Sequence, residues 1–297
     1  MAEVPHVPVL SAEAMSYMAP ERGGLFVDCT VGAGGHARAL MAGGATRLVG
    51  LDRDRHALAC AAESLAEWRG RVDLVHANFH QLDAVLDARG IASIDGAIAD
   101  LGVSSMQLGG DGRGFSFKRD EPLDMRMDQS AGATAAELIR ETSETELADA
   151  IFRYGEERHS RRIARAIVAT RRDSPVETTG QLAAIVRRAM PNRGWRRIDP
   201  ATRTFQAIRI WVNQELDGLA AALEMICRRL AANARVVVVS FHSLEDRIVK
   251  QTFRALGGGH EATIRILTKR PLVASDDERE RNPRARSAKL RAAERIA

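Results

Sequence analysis

The residues best suited to chemistry lie in the first hundred positions. Gly32-Ala33-Gly34-Gly35-His36-Ala37 fits the pattern G-x-G-x-x-A directly after an apolar run, and Asp52 follows Gly32 by 20 residues at the end of the next apolar run. Glycines at this spacing let a ligand approach the backbone, and a carboxylate at that distance hydrogen-bonds ribose hydroxyls. The pattern serves any nucleotide-like cofactor; a tight strand–helix turn without a ligand is the plainer alternative. Two features favour S-adenosyl-L-methionine over NAD. Asp28 stands four residues ahead of the glycines, and the run continues as Gly-Gly-His, not as a smooth helix start for a pyrophosphate. Phe79 is placed to pack on an adenine face or in the core. Asp100 closes a fourth apolar run, at the edge where ligands bind open α/β sheets, and could accept from an ammonium or a substrate amine.

The elements that would position these residues alternate. Apolar runs at Leu25–Val27, Leu48–Leu51, Val72–Val75 and Ile94–Ala99 read as strands, with helical stretches at 35–43 and 54–68 between them. This rhythm predicts a mainly parallel sheet covered on both faces. Residues 103–130 have no sustained period and read as ordered loop, not core. Residues 134–190 read as helical, with Thr142 or Ser143 as an N-cap. Spacings of three and four from Phe205 to Leu230 predict one long helix, with Gly218 its weak point. Val236–Val239 reads as a central strand, and Ile264–Thr268 and Ala288–Glu294 as two more. The fold expected is α/β, Rossmann-like, with an inserted all-helical domain: residues 1–107 and 203–297 form the core and 108–202 the insertion.

Charge is unevenly spread over the 297 residues. The total is +4, yet residues 1–150 carry 13 bases and 23 acids, whereas residues 151–211 carry 14 arginines and five acids. Arg158, Arg161, Arg162, Arg165 and Arg172 fall on one helical stripe opposite Ile163 and Ile167, and Arg187, Arg188, Arg193, Arg196, Arg197 and Arg203 follow. A polyanion such as RNA is the partner such a block suits; a solvated helix face is the alternative. Trp195 could stack on a base or lie in a core. Three cysteines (Cys29, Cys60, Cys227), no zinc-like ligand cluster and no apolar run of membrane-spanning length point to a cytoplasmic protein. His76 and His80 lack further ligands, so no metal is expected, and neither Ser104–Ser105 nor Ser240–Ser243 has a His/Asp relay.

Longer blocks carry a family resemblance. They include His6-Val7-Pro8-Val9-Leu10, Asp28-Cys29-Thr30-Val31-Gly32, Asp100-Leu101-Gly102-Val103-Ser104-Ser105-Met106-Gln107, Arg113-Gly114-Phe115-Ser116-Phe117 and Pro122-Leu123-Asp124-Met125-Arg126-Met127-Asp128. Gly155-Glu156-Glu157-Arg158, Pro200-Ala201-Thr202-Arg203-Thr204-Phe205, Ser240-Phe241-His242-Ser243-Leu244-Glu245-Asp246-Arg247 and Ala288-Lys289-Leu290-Arg291 continue them. Together they resemble, almost end to end, the bacterial 16S rRNA cytosine-N4 methyltransferases, formerly the MraW family. The resemblance implies a class I methyltransferase core and N4 methylation of one decoding-region, P-site cytidine of 16S rRNA. It further implies cofactor contacts at Gly34, Gly35, His36, Asp52, Phe79, Asp100 and Gln107. Asp199 departs from the family, which usually has His before Pro200.

Cytosine N4 is a poor nucleophile because its lone pair is conjugated with the ring. Acceptors for both N4 protons would free that pair, and Asp100, Asp124 and His242 are the candidates. His242 could equally be a structural residue at a strand end, and Asp124 a cap or a partner of Arg126. The arginine candidates for RNA are Arg158, Arg161, Arg162, Arg165, Arg196, Arg197 and Arg203, with 16S rRNA in the small ribosomal subunit as partner. The competing readings are an NAD-dependent oxidoreductase and a non-catalytic RNA-binding assembly factor.

Overall fold

The computed structural model describes residues 8–104, 107, 112–191 and 198–296. The chain divides into two compact units, Met1–Gly102 with Gly218–Ala297, and Val103–Asp217. The second unit begins earlier and ends later than the expected insertion of 108–202.

The first unit is built on a seven-stranded sheet. Its strands are β1 (Leu25–Asp28), β2 (Arg47–Asp52), β3 (Val72–His76), β4 (Ile94–Asp100), β5 (Leu230–Ser240), β6 (Ile264–Ile266) and β7 (Lys289–Arg295), in the order β3-β2-β1-β4-β5-β7-β6. β1 to β5 pair in parallel, while β7 runs antiparallel to both β5 and β6. The Rossmann-like sheet expected from the apolar runs is present. Val236–Val239 forms its interior as expected, each side chain at most 1% exposed. Burial of this kind contributes about 1.5–3 kcal/mol per large aliphatic side chain. Because β1 to β5 are parallel, Asp28, Asp52, His76, Asp100 and Ser240 all end at one edge of the sheet.

The long helix predicted from Phe205 to Leu230 is two helices, Ala201–Asn213 and Leu219–Arg229, and they fall in different units. Gln214 (φ 49°) and Gly218 (φ 72°) both adopt left-handed backbone, which ends one helix and starts the next. A β-carbon at Gly218 would meet the His80 ring at 2.9 Å, so only glycine fits that start. The spacing had continued through the break because both helices bury one face.

The second unit holds five α-helices among the described residues: Ala135–Glu141, Glu144–Gly155, Ser160–Asp173, Thr179–Ala189 and Ala201–Asn213. Thr134, Ser143 and Thr178 start three of them in reciprocal capping boxes with Glu137, Glu146 and Gln181. Of the two N-cap candidates, Ser143 is the cap; Thr142 closes the preceding helix. Of the loop expected at 103–130, residues 112–130 form no helix or strand, yet Phe115, Leu123, Met125 and Met127 belong to the core. No period signalled this, because scattered backbone bonds and side chains, and not a continuous ladder, hold the segment. Arg113 donates to the carbonyls of Arg126 and Met127, and Asn213 bonds Met127 N–H and the Met125 carbonyl. No helix among the described residues is long and apolar enough to cross a membrane.

Candidate active site

Three carboxylates close adjacent strands of the first unit, and a single turn ties them together. The Thr30 N–H donates to Asp28 Oδ1 at 3.1 Å, and Thr30 Oγ1 accepts from the Asp100 N–H at 2.7 Å, so β1 and β4 are latched at their ends. Asp52 Oδ2 accepts from the Gly32 N–H and Oδ1 from the Asp54 N–H, both at 2.8 Å. The carboxylate expected to meet a ribose therefore also fixes the glycine turn. Gly34, at φ 88°, starts the Gly35–Ala42 helix, and His36 in its first turn points Nε2 to within 3.7 Å of Asp100 Oδ2.

Burial sets the electrostatics of this edge. Asp28 is 1% exposed, and burial, aided by the nearby charges of Asp100 and Asp52, pushes its pKa up to about 7. Burial raises Asp100 to about 7 as well, with Arg284 working against the shift and Glu245 with it. Asp52 is also raised by burial, against the two N–H groups it accepts from. Asp28 Oδ2 and Asp100 Oδ1 are both buried without a hydrogen-bond partner. Such atoms are uncommon unless donors arrive from a ligand or water.

Phe79 lies just beyond β3, half-buried, in the short Phe79–Gln81 turn that Asn78 caps; its ring centroid is 4.6 Å from that of His80. Beyond β5, His242 takes a structural position. It caps the Ser243–Leu256 helix, accepting from the Glu245 N–H, while Nε2 sits 3.0 Å from Glu245 Oε1. Glu245, 1% exposed, accepts from the Phe241 and His242 N–H groups.

Two groups at this edge escaped the sequence reading. Arg284, in the Pro283–Ser287 turn before β7, places its guanidinium 5.5 Å from the centroid of the Phe241 ring. Burial lowers its pKa and Asp100 opposes that change. Thr30 is the second. Nothing local in the sequence marks either; a lone arginine among arginines and a threonine in a turn are ordinary. Nearby, the Ala-Lys-Leu-Arg block is explained by Asp246, which receives Arg291 Nε at 2.7 Å and Lys289 Nζ at 3.2 Å.

The remaining candidates fall in the second unit. Gln107 exchanges hydrogen bonds with Ser104, its Oε1 accepting the Ser104 N–H at 2.9 Å. Asp124 is gripped by Arg126 through Nε at 2.7 Å and a second nitrogen at 3.0 Å, with Gln129 at 3.2 Å. Despite partial burial, Arg126 holds the Asp124 carboxyl below its usual range. Asp199 receives Arg187 bidentately and caps the Ala201 N–H, so the departure from the family pattern makes an ion pair here.

Arg161, Arg162, Arg165 and Arg172 stand exposed on the Ser160–Asp173 helix, opposite buried Ile163, Ala164, Ile167 and Val168. Arg158 is exposed in the turn before it, Arg165 lies 3.5 Å from Glu144, and Arg203 lies 3.9 Å from Glu157. Arg193, Trp195, Arg196 and Arg197 lie outside the described residues. The insertion as a whole is not basic: residues 103–217 carry 19 bases and 17 acids, the rest of the chain 24 and 22. The acids of residues 103–150 offset the arginines, so the positive charge is a local face and not a property of the unit.

The model of the MraW methylase family matches residues 3–296. Ribosomal RNA small subunit methyltransferase H of Bradyrhizobium diazoefficiens is 52% identical over 307 residues, covering 99% of this chain and 93% of that protein. The protein of the same name from Nitrobacter winogradskyi is 53% identical over 305 residues, covering 98% and 90%. That of Geotalea uraniireducens is 48% identical over 312 residues, covering both chains fully.

Proposed function

The chain belongs to the MraW methylase family, and from that premise we propose that it methylates the exocyclic N4 amine of one decoding-region cytidine of 16S rRNA, using S-adenosyl-L-methionine. The observation that carries the cofactor reading is the row of carboxylates beside the glycine turn, Asp28 buried and Asp52 and Asp100 partly so. A sulfonium with an ammonium and two ribose hydroxyls brings positive charge and hydrogen-bond donors, which is what the orphaned Asp28 Oδ2 and Asp100 Oδ1 need. When bound, it supplies a methyl group whose transfer to N4 returns the S–C bonding pair to sulfur and releases one N4 proton.

This chain's residues bind and orient. Asp52 retains lone pairs for the ribose hydroxyls while holding Gly32. Gly34 and Gly35 let the ligand lie against the backbone, Phe79 offers its half-buried ring to the adenine, and His36, 3.7 Å from Asp100, is a further cofactor contact on the family pattern. Gln107 is the remaining cofactor contact on the family pattern. Of the three N4 acceptor candidates, Asp124 is held by Arg126, whereas Asp100 Oδ1 and His242 Nε2 are both buried without a hydrogen-bond partner, the latter 3.0 Å from Glu245 Oε1; of these two, Asp100 is the carboxylate. Positioning of this kind supplies much of the rate gain in an in-line displacement. A base must leave its stack to reach such an edge, and exposed Arg158, Arg161, Arg162, Arg165 and Arg203, with Arg196 and Arg197, would hold the flanking phosphates. The substrate is 16S rRNA within the small subunit, in the cytoplasm.

Small subunits incubated with the protein and methyl-labelled S-adenosylmethionine test this reading. Label is expected in 16S rRNA, and digestion should yield N4-methylcytidine; an unlabelled 16S rRNA beside an active control enzyme would reject it.

A further inference from the structure

The site as described is almost wholly acidic. Asp28, Asp52 and Asp100 end three strands, with Glu245 behind them. That suits a sulfonium, an ammonium and hydroxyls, yet the amino acid end of S-adenosylmethionine also carries a carboxylate. Left among these groups it would be repelled, so a cation must stand beside the ammonium site.

The geometry points to Arg284 as the receptor for the cofactor's carboxylate, next to Asp100 as the receptor for its ammonium; the assignment rests on the S-adenosylmethionine reading above. β4, β5 and β7 are consecutive in the sheet, and the three pieces concerned adjoin these strands on one side. Asp100 ends β4, Phe241 follows β5, and Arg284 precedes β7. A β-carbon at Gly102, two residues past Asp100, would lie 3.4 Å from the Phe241 ring, and the Arg284 guanidinium lies over that same ring. The ring thus serves as a shelf that carries the cation toward the end of β4. Each charge acts on the other: Asp100 supports the protonated form of Arg284, and Arg284 supports ionised Asp100.

Local structure fixes the approach of the arginine. Asn282 accepts from the Arg284 N–H at 3.2 Å, and Pro283 opens the turn with a restricted φ. A planar guanidinium matches a carboxylate through two parallel N–H bonds, which a lysine cannot reproduce. An anion and a cation held side by side are the complement of a zwitterion, and neither alone would select an amino acid end over a plain amine.

Calorimetric titration decides it with two ligands, S-adenosylhomocysteine and its decarboxylated analogue, which keeps the amine and lacks the carboxylate. The wild-type protein is expected to prefer S-adenosylhomocysteine by about ten- to a hundredfold, the range of a charged hydrogen-bonded pair. In Arg284→Met the two ligands should bind within about threefold of one another, and Arg284→Lys should regain part of the preference. Equal binding of both ligands by the wild type overturns the assignment, and so does full preference retained in Arg284→Met. The wild-type comparison stands even where the Met variant does not fold. If neither ligand binds the wild type, the cofactor reading itself falls, and this assignment with it.

Discussion

At the carboxyl edge of the sheet, Asp28, Asp52 and Asp100 are drawn out of water, whereas on the Ser160–Asp173 helix Arg161, Arg162 and Arg165 stand in it. The two regions carry charge for different ends. The three carboxylates, Asp28 buried and Asp52 and Asp100 partly so, have their pKa values raised by their surroundings, and Asp28 and Asp100 leave oxygens waiting for donors. The exposed arginines keep their hydration and act together over a distance that salt screens. The nearly equal charge of the two units shows that this contrast arises from burial, not from composition.

The contrast is broken most directly at Asp100. Asp100→Ala should lower kcat/KM for methyl transfer at least about a hundredfold, since it removes a charged acceptor from a buried edge. Steady-state transfer to small subunits measures this, and a variant within a fewfold of wild type would show that the edge is not the reacting centre. Replacing Arg161, Arg162 and Arg165 together by Ala should weaken RNA binding about tenfold or more. The log–log salt slope should flatten by about two. Binding of S-adenosylhomocysteine should not change; a parallel loss there would mean that the two regions are not separable.

A finer test uses pH on the cofactor-free protein. The folded pKa of Asp28 is about 7 against an ordinary 3.8, so between these values the folded state holds a proton that the unfolded state releases. Stability contributed by this group is therefore present at low pH and lost as pH rises toward 7. Asp28→Asn removes the titration, and its melting temperature relative to wild type should climb through that window, on the order of 5 °C. A pH-independent difference would place Asp28 outside the raised-pKa group. The smallest effect is expected at His242. His242→Ala should cost about 1 kcal/mol in urea unfolding through the lost helix cap, and His242→Asn should restore it. An Asn variant that folds like wild type but loses transfer would move His242 from capping to chemistry.

Much of the acidic edge was legible. Asp28, Asp52 and Asp100 each end an apolar run, and a parallel sheet gathers strand ends on one side. The arginine face was legible for the same kind of reason, because Ile163 and Ile167 fix which side of the helix is buried. The helix break at Gln214–Gly218 was not, since the apolar spacing runs on in register while the backbone turns left-handed. Nor were Phe115, Leu123, Met125 and Met127 legible as core; Asn213 holds the backbone of Met125 and Met127 and Glu177 that of Leu123, from positions distant in the chain. The pairing of Asp124 with Arg126 was legible as one alternative, because the two are close in sequence, whereas the place of His242 against buried Glu245 was not.

The sequence by itself determined the strands, the glycine turn, the exposed arginine face and the family, because each depends on local order or on long stretches of matching residues. Tertiary structure alone decided the protonation of Asp28 and Asp100, the latch through Thr30 and the place of Arg284 beside the Phe241 ring. Those depend on burial and on pairs such as Asp100 and Arg284 that lie far apart in the chain. The free energy of a charge is set by what surrounds it in space, and only the folded sheet brings those surroundings together.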